Sequence, residues 1–108
     1  MHEPPSTAGK LIRDRIPEIV RAKGEELVTY RADAAEYRRR LRDKLLEEVD
    51  EFLTAQPDEA IEELADVLEV VYALAADLGA DSSTLDRVRR DKAVARGAFA
   101  ERLVWTGS

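Results

Sequence analysis

The chain has 108 residues and a mass of 12.1 kDa, one domain's worth of core, which excludes a two-domain enzyme. It has no cysteine, so a disulfide framework, a thiolate zinc site and a cysteine nucleophile are excluded and a reducing compartment is expected. With 17 basic against 23 acidic residues and a net charge of -6, it has no overall attraction to nucleic acid.

Residues 1–9 hold two prolines and small residues without apolar periodicity and read as a flexible tail ahead of one domain over 10–108. The tail shows no charged-then-apolar secretory pattern, and the longest apolar run is residues 70–76, far short of a bilayer span. A cytoplasmic protein without membrane contact is expected. The single histidine, His2, lies in that tail, so histidine general-base chemistry loses its central residue. Any chemistry must run on carboxylates.

From Lys10 the apolar residues Ile12, Ile16, Ile19 and Val20 predict a short first helix, with Pro17 in its first turn and Gly24 as its stop. Residues 27–31 form a β-prone connector too short to found a sheet. Asp33 and Glu36 stand in capping-box spacing at the start of a second helix to about Ala55, with Tyr37, Leu41, Leu45, Val49 and Phe52 as its apolar stripe. Pro57 breaks it. A third helix follows to Leu78, with a predicted seam of Ile61, Leu64, Leu68, Val71, Ala75 and Leu78 and Gly79 as its stop. Residues 81–84 offer N-caps for a fourth helix to about Ala95, and residues 99–105 either extend it or fold back. The expected class is all-α: an antiparallel bundle of about four helices, completed by oligomerisation.

The chemistry-bearing pattern is acidic. Glu48 and Glu51 on the second helix, and Glu63 and Asp66 on the third, are i,i+3 pairs, so each pair shares one helical face. Positions 48 and 66 are both nine residues from Pro57, and 51 and 63 both six. The four carboxylates should therefore meet at matching heights, roughly 9 to 14 Å from the turn at 1.5 Å per residue. Converging carboxylates repel and resist desolvation, so a cation must compensate. Oxygen ligands without His or Cys select a hard ion, Mg²⁺ or in its place Mn²⁺, and magnesium sites complete their shells with water and phosphate oxygens. On the bland alternative each pair decorates a solvated face. Glu47 adjoins the site as an outer-shell base or a surface charge, and Lys44, one turn before Glu48, as a phosphate contact or a helical ion pair. Arg89, Lys92 and Arg96 make a basic stripe suited to a polyphosphate or to a wet face.

Glu-Glu-x-x-Glu at 47–51 followed by Glu-x-x-Asp at 63–66 resembles the metal-binding signature of the all-α nucleoside triphosphate pyrophosphatase superfamily, which includes MazG-like and phosphoribosyl-ATP pyrophosphohydrolase-like proteins. Lys-Leu-Ile-Arg-Asp-Arg-Ile-Pro-Glu at 10–18 resembles the opening of a small MazG-like branch. Asp-Lys-Ala-Val-Ala-Arg-Gly-Ala-Phe at 91–99 resembles its closing segment, with Ala98 where that branch commonly has a second glycine. The resemblance implies Mg²⁺-dependent hydrolysis of nucleoside triphosphates between the α and β phosphates, giving a monophosphate and pyrophosphate, often to remove aberrant nucleotides. It implies Glu48, Glu51, Glu63 and Asp66 as metal ligands, Glu47 as a catalytic water-orienting group beside Glu48, and Lys10, Arg13, Lys92 and Arg96 on the phosphates. It further implies assembly as a homodimer or homotetramer, and the apolar residues Leu46, Leu53, Val67 and Val70, outside one stripe, independently want a partner surface. Tyr30, Tyr37, Tyr72, Phe99 and Trp105 are the groups available to stack on a base. Three other readings are weighed. Phosphoribosyl-ATP pyrophosphohydrolase is opposed by segment 10–18. A di-iron bundle is opposed by the lack of helical histidine. In a non-catalytic helical interaction protein the acidic residues would only solubilise.

Overall fold

Four helices organise residues 9–108, the part of the chain that the computed structural model describes; the tail expected over 1–9 lies outside the described residues except for Gly9. Among the described residues there is no strand. Among the described residues no helix is long and apolar enough to cross a membrane.

The first helix, α1 (Ile16–Ala22), starts six residues later than the periodicity from Lys10 suggests. Pro17 lies in the first turn, where its fixed φ and missing N–H are tolerated, and residues 10–15 ahead of it form a non-helical lead-in. Gly24, at φ 88°, takes the left-handed conformation that ends the turn.

The second helix, α2 (Ala34–Thr54), is capped by Asp33, whose side chain accepts from the Glu36 N–H at 2.8 Å. Its predicted stripe faces inward, with Leu41 fully buried and Tyr37, Leu45, Val49 and Phe52 half-buried. The chain turns at Pro57 into α3 (Ala60–Asp77), which packs along α2. At the far end of the hairpin Arg38 donates to Asp77 at 2.9 Å, matching the start of α2 to the end of α3. The fourth helix, α4 (Ser82–Arg96), is capped by Asp81 accepting from the Thr84 N–H at 2.8 Å and lies against α3. Gly97, at φ 82°, ends it, and residues 99–105 neither extend it nor bury their apolar side chains.

The inward face of α3 differs from the predicted seam. Of that seam Ala75 is buried and Val71 half-buried, whereas Ile61, Leu64, Leu68 and Leu78 are exposed, Ile61 by 75%. Val70 is buried and Glu63, Asp66, Val67 and Leu74 half-buried, so Val67 and Val70 are not free for the partner surface expected of them. Both sides of α3 are apolar, so hydrophobic periodicity alone cannot choose between them. The hairpin turns the side carrying Glu63 and Asp66 toward α2 and leaves a second apolar stripe uncovered.

Candidate metal centre

In the half of the hairpin nearer the turn, Glu48 of α2 and Glu63 and Asp66 of α3 each present a carboxylate oxygen, and the three lie within 4.8 Å of one another. Helical spacing puts 63 and 66 on one face of α3, and the short turn at Pro57 sets them level with Glu48. Glu51, one turn beyond Glu48, is exposed and is not among the three that converge.

Glu48 is only 7% exposed. Its Oε1 is 3.3 Å from Lys44 Nζ, but its Oε2 is buried without a hydrogen-bond partner, and so is Oε2 of Glu63. Buried carboxylate oxygens left unpaired are costly. Burial pushes the Glu48 carboxyl above the usual glutamate range, Lys44 offsets this only in part, and the Glu51 carboxylate adds to the rise. An all-oxygen donor set with two orphaned acceptors fits a hard divalent cation and offers nothing that a soft metal would prefer.

Glu47 sits in the opposite environment. Burial would raise its pKa, but Lys10 donates to Oε1 at 2.9 Å and Lys44 to the same oxygen at 3.2 Å, and together they hold the carboxyl below its ordinary value. Lys44, bridging Glu47 and Glu48, is partly desolvated, yet the two carboxylates outweigh this and raise its pKa. On α3, Arg13 Nη2 donates to Asp66 Oδ1 at 2.6 Å. Three of the five predicted basic residues thus surround the carboxylates. Lys92 and Arg96 are exposed on α4, and neither is within ion-pair reach of a cluster carboxylate.

Arg40 was not singled out by the sequence. It donates to Glu36 at 2.7 Å and to the Tyr30 hydroxyl at 3.4 Å, and it also bonds the Gly9 carbonyl. A usable signal existed, because Arg40 and Lys44 are i,i+4 and share the α2 face that continues to Glu47 and Glu48. Arg40, Lys10, Arg13, Tyr30 and Tyr37 line an open groove of about 920 Å³ between the lead-in segment and the connector before α2. The groove therefore abuts the carboxylates through Lys10 and Arg13. Among the stacking candidates, Tyr30 and Tyr37 line it; Phe99 and Trp105 are exposed in the C-terminal segment.

No curated protein and no solved structure matches the chain. A family model does: the MazG-like family, over residues 34–99, which takes in the α2–α3 hairpin with all of its carboxylates and the whole of α4. With well over half of its length matched, the chain belongs to the MazG-like family.

Proposed function

We propose that the protein is a magnesium-dependent nucleoside triphosphate pyrophosphohydrolase that cleaves the α–β phosphoanhydride and clears aberrant nucleotides. One observation carries this reading: in a MazG-like chain, Glu48, Glu63 and Asp66 bring carboxylate oxygens within 4.8 Å of one another, and Glu48 and Glu63 each also keep a buried oxygen without a hydrogen-bond partner. A bound hard ion would neutralise the triphosphate and lower the pKa of a coordinated water. Glu48, Glu63 and Asp66 would hold it, with Glu51 joining from the next turn. Glu47, fixed by Lys10 and Lys44, would accept a hydrogen bond from the attacking water and orient it in line with phosphorus. Lys10, Arg13 and Lys44 would bind phosphate oxygens. Lys92 and Arg96 enter through the family's closing segment and not through any contact with the carboxylates.

The working unit in this reading is a homodimer. Ile61, Leu64, Leu68 and Tyr72 form an exposed stripe at helical spacing on α3, and Leu46 and Leu53 of α2 are exposed as well. A second copy brings the same stripe, and two such hairpins related by a twofold axis make a four-helix bundle. The test of the activity is to incubate the protein with Mg²⁺ and a panel of standard and modified nucleoside triphosphates. Pyrophosphate and monophosphate are expected; orthophosphate would assign the wrong bond, and no product would favour a helical interaction protein.

A further inference from the structure

Arg13 occupies a position that the metal reading makes contested. It belongs to the lead-in before α1, and α1 itself approaches no other helix closely. The polar ties from this lead-in to the hairpin are Arg13 to Asp66, Lys10 to Glu47, and the bond that the Gly9 carbonyl accepts from Arg40. Asp66 is also one of the three carboxylates grouped to hold a cation. A guanidinium at 2.6 Å already neutralises Oδ1 of that carboxylate. It would compete with a divalent ion for the oxygen's charge and would itself be repelled by the ion. Arg13 is 55% exposed at its side chain and so has room to leave, whereas Lys44, at 17% and pinned by two glutamates, does not.

We propose that Arg13 is an exchangeable counter-ion: it holds Asp66 before a divalent cation arrives and transfers to the phosphate oxygens of the incoming nucleotide when the cation takes the carboxylate. This inference rests on the pyrophosphohydrolase reading for its substrate, but it adds an antagonism that a simple phosphate-binding arginine lacks. Losing Arg13 then has opposite effects on the two ligands: the cation alone binds more tightly, and the nucleotide binds less well. The groove wall formed by the lead-in would also loosen with cation alone and tighten again once phosphate supplies a new anchor.

The test is a calorimetric titration of Mn²⁺, without nucleotide, into the wild type, Arg13→Ala and Arg13→Gln. Both variants should bind Mn²⁺ about fivefold or more tightly; equal or weaker binding overturns the proposal. At saturating Mg²⁺ the KM for triphosphate should rise by about tenfold in both variants with a much smaller change in kcat, and an unchanged KM overturns it as well. In the wild type, Mn²⁺ alone should speed tryptic cleavage after Arg13 and Arg15, and Mn²⁺ with inorganic pyrophosphate should slow it; cleavage indifferent to Mn²⁺ counts against the exchange. The Mn²⁺ titration and the proteolysis need no turnover. A failure of the hydrolase reading, seen as no pyrophosphate from any triphosphate, is therefore distinguishable from a failure of the exchange.

Discussion

Glu48 and Glu63, on opposite sides of the turn at Pro57, bring carboxylate oxygens within 4.8 Å of each other while one oxygen of each is buried and unpaired. Such a pair weakens the metal-free fold and rewards a cation that bridges it. Glu48→Gln and Asp66→Asn should therefore leave the metal-free protein within about 1 kcal/mol of the wild type or above it, while abolishing the rise in melting temperature on adding Mg²⁺. Melting curves with and without Mg²⁺ check this. A variant that still gains stability from Mg²⁺ would show that the ion binds elsewhere.

Glu47 is built into the site differently, since its carboxylate is held by two lysines and not aimed at the other acids. Glu47→Gln should lower turnover by about 10- to 100-fold, the range of an outer-shell change, with Mg²⁺ affinity nearly kept. Comparing kcat with the Mg²⁺ dissociation constant separates the two effects. Loss of both together would make Glu47 a ligand.

The two neighbouring glutamates also titrate with opposite signs. Glu48 is raised above 4.5 by burial, so in the window just above that value the folded state keeps a proton that the unfolded chain has released, and metal-free stability falls as pH rises through it. Glu47 is lowered, so its stabilising contribution is present above 4.5 and is lost as pH drops below that value. Cation binding needs Glu48 ionised. The Mg²⁺-dependent gain in melting temperature should accordingly grow as pH rises above 4.5, measured over about pH 4 to 8; a gain flat across that range would contradict the role given to Glu48.

Much of this was legible in the sequence, and the failures have definite causes. The Asp33 and Asp81 caps, the glycine stops and the inward stripe of α2 follow from local rules and are realised in the structure. The mirrored spacing about Pro57 predicts four converging carboxylates, and the structure groups three of them, Glu48, Glu63 and Asp66, while Glu51 is exposed and outside the group. The α3 seam was misplaced because Ile61, Leu64 and Leu68 compete with Val67, Val70 and Leu74 for the inward face, and two apolar sides carry no single phase. The pairings of Arg13 with Asp66 and Lys10 with Glu47 join residues 53 and 37 positions apart. No spacing rule reaches that far.

The misplaced seam bears on assembly. If the stripe of Leu64 and Leu68 meets its copy across a twofold axis, each substitution acts twice. Leu64→Asp should then cost about 3 to 6 kcal/mol of dimer stability, counting the lost burial of one leucine per copy. Light scattering should report a dimer for the wild type and a monomer for the variant. A monomeric wild type would leave the exposed stripe without its proposed partner.

A calorimetric titration of Mg²⁺ into the protein and into the double variant Glu48→Gln, Glu63→Gln asks whether these carboxylates hold the cation. Saturable binding to the wild type and none to the folded double variant is expected. Equal binding to both would contradict this, because the cation would then owe nothing to the carboxylates on which the proposed hydrolysis depends.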